Sequence, residues 1–217
     1  MQFFPEVWQA HHTIFSLYVV SYSAVGQFCL WKWGSANCGG TPRWRNALGL
    51  MPQVVVMPSL LLAGWVHPPW SLTAQSVFVN VFPSLLLIDF ATMKLNIMVA
   101  AHHAVCLCGH TFAVLTAPES FWFYFAGVVA LEAGSGTACA WWLFGETRPK
   151  LSMTYALGMT ASNVLAAAAQ LIWSLSATSL SLPLRVVPTL VTAVLIYFRQ
   201  IEMQNLMRGG RAASGTG

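Results

Sequence analysis

Long apolar runs alternate with short polar or Gly/Pro-rich breaks along nearly the whole chain. A helix that crosses a bilayer needs about 20 consecutive apolar residues. The pattern predicts seven such helices, near residues 13–33, 46–66, 76–91, 94–116, 121–144, 152–175 and 182–200. The breaks carry turn chemistry: Asn37-Cys-Gly-Gly-Thr-Pro, His67-Pro-Pro, Ala117-Pro-Glu, Gly145 to Pro149 and Leu182-Pro183. Trp31, Trp33, Trp65, Trp70, Trp122, Trp141 and Trp142 stand at predicted span ends, where an interfacial belt places them. The weakest break, Asp89-Phe-Ala-Thr-Met-Lys94, contains neither Gly nor Pro. Without it, the third and fourth spans merge into one bent helix and the count falls to six. The expected fold is all-α, a polytopic membrane helix bundle. A segment 1–12 precedes the transmembrane domain of 13–205, and a disordered tail, 206–217, follows it.

Composition narrows the class. Of 217 residues, 57% are hydrophobic and 7% charged, against about 25% charged in a soluble domain. Too few charges remain to build a water-facing shell, which excludes an ordinary soluble enzyme and a disordered regulator. The ten Lys and Arg residues are scattered rather than clustered, so no nucleic-acid partner is expected. Nine of the ten fall at one set of span ends: Lys32, Arg43, Arg45, Lys94, Arg148, Lys150, Arg199, Arg208 and Arg211. The opposite ends hold Arg185, with Glu6 and Glu119. The positive-inside rule then predicts a cytosolic C-terminus and a lumenal or extracellular N-terminus. The N-terminus lacks a basic region and a cleavage site, so no cleavable signal is expected. Cys29, Cys38, Cys106, Cys108 and Cys139 give no disulfide framework. Cys106 and Cys108 fall on different faces of a helix, which argues against a metal or redox pair.

Ionisable groups at bilayer depth are costly, and each raises a functional question. Asp89, His102, His103, His110 and Glu132 lie inside predicted spans, with the amides Asn80, Asn96, Asn163 and Gln170. Asn96, His103 and His110 recur every seven residues and form one polar stripe, with His102 rotated off it. At about 1.5 Å per residue, His103, Asn80, Glu132 and Asn163 fall roughly 13–18 Å from the basic ends, and His110 about 24 Å. Four spans thus bring polar groups to a common layer, which predicts a shared cavity near mid-membrane. Glu132 stands among Gly127, Ala130, Ala133, Gly134, Ser135 and Gly136, small residues that permit close helix approach or leave room beside a carboxylate. A buried Glu–His or Asn–His pair that merely ties helices together is the structural alternative for each group taken singly.

The stretch Leu-Ile-Asp89-Phe, then Ala-His102-His103-Ala-Val-Cys-Leu, then Glu132 in a further span, resembles the TLC-domain family, which includes the ceramide synthases. The resemblance spans roughly residues 10–205. It implies a core of six helices around a lipid-accepting tunnel with the His pair inside, an endoplasmic reticulum or other endomembrane setting, and a cytosolic C-terminus. Ceramide synthases carry a His-Asp pair and a further Asp after the paired His; this chain has Gly-Val-Val-Ala-Leu-Glu132-Ala-Gly-Ser-Gly-Thr there. That places it nearer to members linked to membrane-lipid composition than to the synthases.

Two functions follow. One is a lipid-binding protein that affects phospholipid or sphingolipid composition, with Asp89, Asn96, His110, Asn163 and Asn80 lining the tunnel. The other is an acyltransferase of ceramide-synthase type, with acyl-CoA as co-substrate and a long-chain base as acceptor. In it, His102, His103 and Glu132 carry the chemistry, an imidazole taking the proton of the nucleophile. No metal or resident cofactor is expected: the six His include no HxxHH set for a di-iron centre. A retinal protein needs a Lys in the last span, and 182–200 has none. No repeated half or broken-helix pair supports a proton-coupled transporter.

Overall fold

A computed structural model describes residues 24–26, 28, 37–38, 41–92, 95, 97–144 and 150–214. Asn96, the segment 1–12 and all but four residues of the expected span 13–33 lie outside them. A two-residue antiparallel pairing of β1 (Asn37–Cys38) with β2 (Thr41–Pro42) leads into the helices. α1 (Arg43–Met51), a π-helical turn at Pro52–Val56 and α2 (Met57–Val66) form one continuous rod. α3 (Ser71–Thr92), α4 (Ile97–Thr116), α5 (Phe121–Phe144), α6 (Lys150–Ser176) and α7 (Leu182–Ser214) follow.

Six described helices are long and apolar enough to cross a membrane. They match six of the seven expected spans, and the seventh falls on residues outside the description. α3 ends at Thr92 and α4 begins at Ile97, so the third and fourth spans are two helices. Helix ends overrun the hydropathy limits. α3 begins at Ser71 rather than 76, and within its first turns Ser76 Oγ and Gln75 Nε2 bond one turn back, to Leu72 O and Ser71 Oγ. α7 continues past 200 to Ser214. In the π-turn, Met57 N–H reaches Pro52 O, five residues back, between the donor-less nitrogens of Pro52 and Pro58.

The core is aromatic. Phe78 and Phe82 of α3 pack with Phe121 and Phe125 of α5 and with Met57, and the Phe78 and Phe125 rings stack at 3.9 Å. α5 and α6 approach closely through small residues. A methyl on Gly134 would run into the Ser162 side chain, and one on Gly158 would sit 2.7 Å from Thr137 Cγ2. Such contacts let dispersion hold helices together where lipid offers no hydrophobic drive. α7 packs along α6, and no residue in its most apolar stretch is buried.

Candidate functional site

Three polar groupings occupy the bundle. The first joins α1, α3 and α4 near the end where α1 begins. Arg45 grips Asp89 with two hydrogen bonds, Nε to Oδ1 and Nη2 to Oδ2 at 2.6 Å. His103 Nε2 meets Asp89 Oδ2 at 3.0 Å, and Phe90 lies edge-on to its ring. All three polar side chains are buried. Charge-assisted, two-pronged pairing of this kind satisfies a carboxylate that the membrane interior would otherwise expel.

The second grouping centres on His110, and Pro83 explains it. Pro83 lies inside α3 and has no N–H, so the carbonyl of Val79, four residues back, loses its helical donor. His110 Nε2 donates to that carbonyl at 3.1 Å, and His110 Nδ1 accepts from the Tyr124 hydroxyl at 3.0 Å. Phe78 and Phe82 close around the imidazole. Both ring nitrogens are used, and the residue ties α3, α4 and α5 together.

The third grouping borders a cleft of about 470 Å³ between α4, α5, α6 and α7. His102, Glu132 and Arg199 line its inner end, and the walls are mostly apolar, among them Val105, Phe112, Leu131, Leu184, Val191 and Leu195. Val105 and Cys108 of α4, and Leu184, Val187 and Val191 of α7, line the cleft and are exposed as well. The cleft therefore opens sideways, between α4 and α7. Glu132 Oε2 accepts from Gln53 Nε2 at 2.8 Å, a reach that the π-turn provides. Arg199 donates to Leu131 O at 2.7 Å, Ser135 Oγ at 3.0 Å and Asn163 Oδ1 at 3.2 Å. Asn163 in turn donates to Gln200 Oε1 at 2.9 Å. Cys106 Sγ lies 3.7 Å from His102 Nε2.

The expected site residues therefore separate. His102 and Glu132 line the cleft. Asp89 and His103 belong to the Arg45 grouping, His110 to its aromatic cage, and Asn163 braces Arg199 from behind the cleft wall. Asn80 Nδ2 bonds Ser76 O at 2.6 Å on its own helix. Asn96 lies outside the described residues.

Arg45, Gln53 and Arg199 were missed as interior residues. Two of them counted among the nine flanking cations. In the structure Met203 at i+4 is buried and Leu206 at i+7 half-buried, so the helical stripe through Arg199 faces inward. Among the described residues, no group of three or more His, Cys, Asp or Glu is placed to hold a metal ion.

Six described helices long and apolar enough to span a bilayer, with a few polar groupings buried between them, mark an integral, multi-pass, helical membrane protein. Comparison with family models, curated proteins and solved structures finds no match to the chain.

Proposed function

We propose that this membrane protein admits a lipid chain from the bilayer into the cleft between α4 and α7, and through that binding affects membrane lipid composition. The observation that carries the reading is the cleft itself: apolar walls, a sideways opening between α4 and α7, and an acid, a guanidinium and an imidazole at the inner end. Its volume falls in the range of about 300–1,000 Å³ typical of pockets that enclose a small ligand. The inner polar groups limit how deep a chain reaches. The reading agrees with the resemblance to TLC-domain proteins, and with it an endomembrane setting. A cytosolic C-terminus fits the bias of Lys and Arg toward one set of span ends in the sequence.

Gly109 supplies the test. It lines the cleft, and a Cβ built there meets nothing within 4 Å. Gly109→Trp adds bulk at the cleft wall where a Cβ meets no neighbour. Native mass spectrometry of the purified wild type should show a co-purifying lipid that the variant loses. A wild type that is consistently lipid-free, or a variant that keeps its lipid, sinks the reading.

The acyltransferase reading is favoured by one observation, that the His102 imidazole and the Glu132 carboxylate share the cleft. Here His102, rather than His103, takes the proton of an amine or hydroxyl nucleophile. Labelled acyl-CoA and a long-chain base should then yield an N-acyl product that His102→Ala removes. Absence of product with the wild type eliminates this second reading.

A further inference from the structure

The inner end of the cleft keeps hydrogen-bonding capacity that the protein does not use. Gln53 Nε2 engages Glu132 Oε2, and Gln53 is itself fixed by the Cys139 thiol, which donates to its Oε1 at 3.6 Å. Glu132 Oε1 accepts no hydrogen bond from any described residue. His102 Nδ1 makes none either, since the ring's one hydrogen bond lies between Nε2 and Cys106 Sγ. The described side-chain nitrogen and oxygen atoms that are buried without a partner are Arg43 Nε, His103 Nδ1, Trp173 Nε1 and Arg185 Nε. Glu132 Oε1 and His102 Nδ1 are not among them, so both are reachable, and both residues line the cleft and are half-buried. On Arg199, which also lines the cleft, Nε and Nη2 are occupied, but Nη1 donates only to Ser135 Oγ and keeps one of its two hydrogens spare. Glu132 and Arg199 do not pair with each other: the ion pairs among the described residues both belong to Asp89.

We propose that this inner end holds the neutral hydroxyl head of a single-chain lipid, a long-chain alcohol or monoacylglycerol, which enters head first and leaves its chain along the apolar walls. The proposal rests on the reading that a lipid chain occupies the cleft. One carboxylate and one guanidinium bring opposite charges to this end, and a charged head upsets that balance in mostly apolar surroundings. A hydroxyl both donates and accepts. Its proton suits Glu132 Oε1, which as a carboxylate oxygen only accepts, and its oxygen suits the spare Arg199 hydrogen. His102 Nδ1 fits in either tautomer: it donates when the Cys106 thiol points at Nε2, and accepts when Nε2–H points at sulfur. An ether head lacks the donor, and an amine or carboxylate head adds a charge. Leu131, Val191 and Leu195 supply apolar wall for the chain, and the opening between α4 and α7 lets it extend outward.

The experiment uses the full chain in detergent and mass spectrometry of retained lipid, with four probes of equal chain length: oleyl alcohol, its methyl ether, oleylamine and oleate. The wild type should retain the alcohol over each of the other three by about tenfold, the effect of one charge-assisted hydrogen bond. Glu132→Gln removes the negative charge at nearly constant size and leaves that of Arg199. It should cancel the advantage of the alcohol over the ether and raise retention of oleate, while the ether binds as in the wild type and so shows that the cleft still forms. Equal retention of alcohol and ether by the wild type, or a preference for the alcohol that survives Glu132→Gln, overturns the headgroup site and leaves the cleft reading standing. A wild type that prefers oleylamine or oleate overturns the neutral head in favour of a charged one. Retention of none of the four overturns both readings. The wild-type ranking needs no variant, so it decides alone if Glu132→Gln does not fold.

Discussion

The grouping of Arg45, Asp89 and His103 and the cleft beside it contain the same kinds of side chain, put to different uses. In the first, carboxylate, guanidinium and imidazole neutralise one another inside a closed contact of three helices. In the second, an acid, a guanidinium and an imidazole border an open volume. Polar groups within a membrane are equally costly in both places. What distinguishes them is the space beside them: the first grouping is enclosed by three helices, with His103 Nδ1 left without a partner, whereas the second borders a volume that a ligand can enter. The enclosed grouping therefore reads as a fastener, and the one beside a void reads as a site.

That contrast makes opposite demands on substitutions. The largest loss should come from Asp89→Ala, which strands a buried guanidinium. Thermal or denaturant unfolding in detergent should show about 3–5 kcal/mol of destabilisation, much of it recovered when Arg45→Met and Asp89→Leu are combined. If the single variant is as stable as the wild type, Asp89 is not a fastener.

Next is His110→Phe, which leaves the Val79 carbonyl and the Tyr124 hydroxyl unpaired at a cost of about 1–3 kcal/mol. Adding Pro83→Ala returns a helical N–H to Val79 O, so the double variant should lose less than His110→Phe alone. Additive losses refute the link between the proline and the histidine.

The smallest change in stability belongs to Gly109→Trp, within about 0.5 kcal/mol of the wild type by the same measurement. The same variant is expected to lose its lipid, so stability and occupancy separate at the cleft where they coincide at the other two groupings.

Most of the architecture was legible from hydropathy. Six helices lie where the apolar runs place them, because in hydrocarbon a spanning segment must satisfy its own backbone and only helices do so alone. The inward orientation of the stripe was legible too: His103 and His110 both turn toward α3. The sorting of the polar residues was not. Depth along each helix put His103, Asn80, Glu132 and Asn163 in one layer, but depth is one coordinate of three. Rotation about the helix axis and the choice of neighbour decide whether a side chain meets a carbonyl, a counter-ion or a void. Arg45 and Arg199 show the same limit from the other side. By position they read as flanking cations, and only packing shows them turned inward.

The amino-acid order by itself determined that this chain crosses a membrane repeatedly and that its few hydrophilic groups gather inside, since each rule acts within one helix. Only the tertiary structure decided that Pro83 recruits His110, that Arg45 answers Asp89, and that Glu132 is left beside open space. Those outcomes depend on distances between helices, and no periodicity along a single segment records them.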